Sequence, residues 1–137
     1  MMKRMLNLCV ALLAAYVMVS CTEKRDFGIL NGEWNVVSVG ELVVPDSADV
    51  FMGFNIAEQL VYGNTGCNYL TGFFPLATDS STPLFSTIGS TRKWCADMTI
   101  ENAMIPALID VVDFKVEGDT LCLLNAEGAT MLTLVKR

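Results

Sequence analysis

The chain has 137 residues, a formal net charge of −6 and no histidine. That length suits one domain. The missing histidine excludes Ser-His-Asp and Cys-His catalysis and removes the commonest ligand of transition metals. An acidic chain without a basic run also lacks the phosphate contacts that nucleic-acid binding relies on, and is a poor match for direct adhesion to anionic lipid headgroups.

The first segment reads as an export signal. Lys3 and Arg4 precede the uncharged stretch "MLNLCVALLAAYVMV" (5–19), and Ser20, Cys21 and the charged run "TEKRD" follow. This order of basic start, apolar stretch and small residue is that of a secretory signal over residues 1–20. The apolar stretch is shorter than the roughly 20 residues a membrane span takes. Its end, "VMVSC", resembles the lipobox of bacterial lipoproteins, in which the cysteine is lipidated and becomes the new N-terminus. Cys21 is therefore the expected lipidation site, with Met18 standing where leucine is usual. No aspartate follows Cys21, so nothing retains the product at the inner membrane. The expected location is the outer membrane of a Gram-negative bacterium, facing the periplasm or the surface, with the membrane reached through the lipid. Removing residues 1–20 takes two cations from a net charge of −6 and leaves −8 over the remaining 117 residues.

Residues 21–27 read as a polar tether, followed by a domain over 28–137. "GEWNVVSV" (32–39) reads as a strand, and "GELVVPDSAD" (40–49) as a loop. "VFMGFNI" (50–56) and "EQLVYG" (58–63) pair as strands, "YLTGFFPL" (69–76) adds another, "ATDSSTP" (77–83) is a loop, and "LFSTIG" (84–89) is a short strand. In "DMTIENAMIPALIDV" (97–111), Ile100, Met104, Ala107, Leu108 and Val111 recur at helical spacing. Asp97 or Thr99 can cap that helix, Glu101 suits its first turn, and Pro106 predicts a kink or break. The tail alternates around Gly118-Asp119, a two-residue hairpin signal, with a second turn at 125–128. The total is about eight strands and one helix.

These residues resemble a known family. "ILNGEWNVVSV", "VYGNTGCNYLTGFF", "STRKWC" and "IENAMIPALIDVVDFKVEGDTLCLLNAEG" follow the pattern of the META domain, the HslJ-like heat-shock family, from Leu30 to Leu134. The most specific pieces are Gly66, Cys67 and Asn68 followed by Gly72, and the step from Thr91 to Cys95. Lys93-Trp94 departs from the pattern, which more often has Met-Ala there. The resemblance implies a mainly β fold: a small antiparallel β-barrel-like domain with one α-helix packed on it. It implies envelope association and a loose link to stress, but no known reaction. The fold is also similar to that of pilot lipoproteins that bind secretin tails, and fold alone carries no function.

The window "GNTGCNYLTG" (63–72) holds the main candidate site. Gly63, Gly66 and Gly72 suit positive φ or close backbone approach, and no lysine makes the window a phosphate loop. Asn68 is expected to bond backbone within the turn. Cys67 has no histidine base to make it a nucleophile and no C-x-x-C partner to make it a zinc ligand. Pairing with Cys95 is the simplest reading, and two buried free thiols are the alternative. Cys122 lies on the strand face opposite Leu121 and Leu123. Asp110 with Asp113, and Glu117 with Asp119, flank a helix end and a hairpin turn, where acids are ordinary surface. The pairs Lys24-Arg25, Arg92-Lys93 and Lys136-Arg137 read as solvated. Trp94 is the better candidate for an exposed contact than Trp34.

The expected role is non-enzymatic: an envelope lipoprotein, monomeric and without cofactor or metal, that binds or stabilises a protein partner, with the link to stress that the family resemblance implies. A barrel carrier of a small apolar molecule is the alternative, and a carboxylate hydrolase ranks third. The inward candidates Trp34, Phe54, Phe73 or Phe74, Phe114, Leu121, Leu123, Leu132 and Leu134, with Met104 and Leu108, predict a filled interior. A solvent-reaching cavity of several hundred Å³ favours the carrier.

Overall fold

The computed structural model describes residues 25–137. The expected signal and Cys21 lie outside the described residues. Nine strands follow in order: β1 (Gly32–Val39), β2 (Leu42–Val43), β3 (Phe51–Asn55), β4 (Leu60–Asn64), β5 (Tyr69–Phe73), β6 (Ser86–Ser90), β7 (Asp113–Glu117), β8 (Thr120–Leu124) and β9 (Thr130–Lys136), with the helix α1 (Thr99–Ile109) between β6 and β7. Eight of them form one antiparallel path, β6-β5-β4-β3-β1-β9-β8-β7, and β2 pairs only with the end of β1. The sheet curls into a half-barrel whose two edges, β6 and β7, do not pair.

The core follows from strand alternation. Val61 and Leu70 point in while Tyr62 and Tyr69 point out; Leu121 and Leu123 point in while Cys122 lies on the other face. Trp34, Phe54, Phe74, Leu121, Leu123, Leu132 and Leu134 are all at most 2% exposed, and they fill the half-barrel. Of the two phenylalanines at the end of β5, Phe73 closes the strand and faces outward, while Phe74, just past it, is buried. The Trp34 indole donates to the Leu30 carbonyl at 2.9 Å, which satisfies its one polar group inside the core.

Helix α1 packs against β1, β9 and the edge strand β6. Met104, Ala107 and Leu108 pack into the core, with Ile100 half-buried beside them. The seam is closed at the helix's C-terminal end by a backbone bond from Leu84 N to Val111 O at 2.9 Å.

Three expectations change. The 40–49 loop contains β2 and a short 3-10 turn at Asp46–Ala48, because Gly40, at φ 56°, turns the chain back onto β1. The helix starts at Thr99, and Asp97 accepts from Thr99 N at 2.9 Å just ahead of it. Pro106 does not break the helix, which runs unbroken through it. Pro106 and Asn102, four residues earlier, both lie on the exposed face, so the carbonyl that loses its partner is open to water.

Candidate functional site

The 63–72 window forms a buried polar cluster around Asn68, which is 2% exposed. Gly66 takes φ 94°, a conformation that favours glycine, and so turns the chain between β4 and β5. At Gly72, a Cβ would press on Ile88 and Val61, so the glycine lets β5 sit close to its neighbours. The Asn68 side chain then binds in two directions. Its Oδ1 accepts from Thr91 Oγ1 at 2.9 Å and from Lys93 N at 2.8 Å. Its Nδ2 donates to Lys93 O and to Glu101 Oε2, both at 3.0 Å. Thr65 Oγ1 donates to the other carboxylate oxygen of Glu101 at 2.7 Å and accepts from Asn68 N at 3.0 Å.

The result is a junction of three segments: the β4–β5 turn, the loop after β6, and the first turn of α1. A disulfide between Cys67 and Cys95, with Cα atoms 6.0 Å apart, joins the first two covalently. Of the two readings left open for these cysteines, the structure adopts the pair; Cys122 is free. Sequence reasoning placed Gly66, Asn68, Gly72 and Thr91 here but missed Glu101 and Thr65. Glu101 is 8% exposed, the one charged residue among the described buried ones. Its signal was available: it is the only charge within an otherwise uncharged helix. Asn68 also reaches farther than its own turn, to a loop and a helix at least 23 residues away in sequence.

Every polar atom named in this cluster is engaged with another, and nothing in it offers an open coordination position or an activated nucleophile. Among the described residues no group of three or more His, Cys, Asp or Glu side chains could hold a metal ion. The acidic pairs do not converge either. Asp113 is tied to Arg25, and Glu117 pairs with Lys115 at 3.4 Å on the surface. Asp110 borders a different, shallow cleft beside the 125–127 turn.

A cavity lies elsewhere, at the β7 edge. It has a volume of about 580 Å³, opens to solvent, and is lined by Arg25, Asp26, Asp79, Ser80 and Asp113 together with Phe114 and a few neighbours. Arg25 forms its wall. Nη1 donates to the carbonyls of Ala77 and Asp79 at 2.8 and 2.9 Å, and Nη2 donates to Val112 O and Asp113 Oδ1, both at 3.0 Å. The guanidinium also lies over the rings of Phe27 and Phe114, at 5.3 and 5.6 Å. Arg25 is thus not solvated surface, and residues 25–27 are not tether: Phe27 packs edge-on against Phe74. The planar fork of the guanidinium can bridge several acceptors at once, and charge alone does not reveal that. The hydroxyls of Ser81 and Thr82 hold the Asp79 carboxyl below its ordinary value. By volume and opening the cavity meets the condition stated above for the carrier, but its lining of Arg25, Asp26, Asp79 and Asp113 does not suit a small apolar molecule.

The remaining basic pairs separate. Arg137 pairs with Asp49 at 2.6 Å and lies over Phe51, while Lys136 lies over Trp34. The side chains of Arg92 and Lys93 have no ion-pair or hydrogen-bond partner among the described residues. Trp94 is 81% exposed, as its position in the loop predicted. No helix among the described residues is long and apolar enough to cross a membrane.

Solved structures share this fold. A protein from Burkholderia xenovorans, determined by NMR, is 21% identical with a TM-score of 0.62, over 80% of this chain and 85% of that one. A DUF4847 family protein from Bacteroides vulgatus is 13% identical with a TM-score of 0.54, over 79% of this chain and 94% of that one. No curated protein matches the chain. The META domain family matches residues 28–137, the whole half-barrel with its Asn68 junction and seam helix, and the chain belongs to that family.

Proposed function

We propose that the chain is a non-enzymatic, monomeric lipoprotein of the outer membrane of a Gram-negative bacterium, whose META domain binds and stabilises a protein partner, with a stress-related role as the family resemblance implies. The observation that carries this reading is an apolar row on the outer face of β4 and β5. Leu60, Tyr62, Tyr69 and Phe73 are between 38% and 70% exposed. Strand pairing sets Leu60 opposite Phe73, Tyr62 opposite Thr71 and Asn64 opposite Tyr69, so the four side chains share one face. The interior is filled and the family motif is engaged in the junction, which leaves the outer surface as the place for recognition. Clustered exposed aromatics of this kind mark interaction surfaces.

The test is affinity capture of the full-length protein from its own envelope, beside a Tyr62→Ser/Phe73→Ser double variant. Wild type should retain a partner that the double variant loses. A tightly held apolar molecule at one per protein, with no captured partner, favours the carrier instead. Cys21→Ser should abolish labelling by a palmitate analogue; unchanged labelling sinks the anchor.

A further inference from the structure

We propose that the seam of the half-barrel is a membrane-contact surface: the outward face of α1 and the Arg92–Trp94 loop lie on a phospholipid bilayer beside the lipid anchor. This rests on the lipoprotein reading above. Three independent features converge on the seam.

The first is α1 itself. Its only charged residue, Glu101, is buried in the Asn68 junction. The outward positions are Asn102, Pro106 and Ile109, with Ala103 and Ile105 half-exposed between them. Ile109 is 60% exposed. A surface helix normally turns a charged face to water, and this one turns none.

The second is the loop leading into the helix. Trp94, 81% exposed, stands next to Lys93 and Arg92, whose side chains have no ion-pair partner among the described residues. Tryptophan with neighbouring cations is the composition of the headgroup layer, where the indole is half-immersed and the cations meet lipid phosphates. The loop is held rigidly for this: Asn68 fixes Lys93 N and O, and the disulfide fixes Cys95. Acids border both ends of the helix: Asp97 just before it, Asp110 just after it beside Glu127, and Asp26, Asp79 and Asp113 around Arg25. The rest of the chain is strongly acidic. Anionic lipid therefore favours the orientation that turns the basic loop toward it, because charges farther than about 10 Å away are screened.

The third is the tether. Arg25 is locked to Val112, just past the C-terminal end of α1. Four residues separate it from Cys21, so the anchor lies at most about 14 Å from Arg25. Trp94 sits near the other end of the helix, about 16 Å along an 11-residue α-helix. Arg25, where the tether begins, and the Arg92–Trp94 loop thus lie at opposite ends of α1. A short tether raises the effective concentration at the surface to about millimolar or more, so a weak interfacial contact is enough to fix the orientation.

The chain supplies its own probe. Trp34 is buried, so solvent-sensitive emission comes from Trp94. The full-length protein, purified from membranes with its acyl content read by mass, is reconstituted into phosphatidylcholine–phosphatidylglycerol vesicles with brominated acyl chains. Trp94 emission should shift to the blue and lose most of its intensity, and Trp94→Phe should remove the quenched component. Ile109→Asp and Arg92→Ser/Lys93→Ser should each restore intensity. Acylated, vesicle-bound protein whose Trp94 keeps its emission and stays open to aqueous iodide overturns the proposal. So does protection of Trp94 that appears only when envelope proteins are added, because the loop then docks on protein. A mass without acyl chains sinks the anchor reading alone, and the quenching measured on that same sample still decides the contact.

Discussion

Replacing Asn68 tests whether the family motif is architecture. Its side chain makes four hydrogen bonds of 2.8 to 3.0 Å, to Thr91, to Lys93 twice and to Glu101. Asn68→Ala removes all four and leaves the Glu101 carboxylate and Lys93 N short of partners. A buried group left unpaired costs about 1–3 kcal/mol, and the part-buried Lys93 groups regain water, so the expected loss is about 3–5 kcal/mol. The measurement is urea unfolding of the mature domain, with Cys21 replaced by serine and the disulfide intact. Asn68→Asp keeps the shape but sets one carboxylate against another. In Asn68→Asp/Glu101→Gln, the glutamine amide can donate to the new acid, so part of the loss should return. The expected non-additivity is about 1–3 kcal/mol for such a contacting pair. A loss below about 1 kcal/mol for Asn68→Ala, or strict additivity in the cycle, refutes the reasoning.

Denatured but unreduced mature domain should show only Cys122 reactive toward a thiol reagent, and Cys67→Ser/Cys95→Ser should lose about 3–4 kcal/mol, since the bond closes a loop with a sequence separation of 28; three reactive thiols contradict the pair. Arg25→Ala should cost about 2–3 kcal/mol in urea, because three carbonyls and Asp113 lose a shared donor. Arg25→Lys should recover little of this, because an ammonium lacks the planar fork, and amide exchange at Leu84 should speed up as the seam loosens; recovery by lysine overturns the clamp. The Thr99 side chain and then its backbone N–H hold the Asp97 carboxyl below its ordinary value of 3.8. Its contribution is therefore complete above that value and lost as pH falls through the lower folded one. Asp97→Asn should flatten the acid limb of stability in that window, and an unchanged limb contradicts the assignment.

The sequence by itself determined every strand but β2 and most of the core. Alternation in "DTLCLLN" separates Leu121 and Leu123 from Cys122, and such period-two patterns need only the pleat to be read. The positions of the Asn68 motif were legible through glycine and turn chemistry, and so was the exposure of Trp94. What tertiary structure alone decided were the long-range bonds. Asn68 meets Lys93 and Glu101, and Arg25 meets Ala77 and Val112, across gaps of 25 to 87 residues. No local period encodes such partners, because they depend on how the sheet curls and where α1 packs on it. The same holds for Glu101 and Arg25 themselves. A charge in a sequence reads as surface, and only partners assembled by the fold, two for the Glu101 carboxylate and four for the Arg25 guanidinium, offset its removal from water.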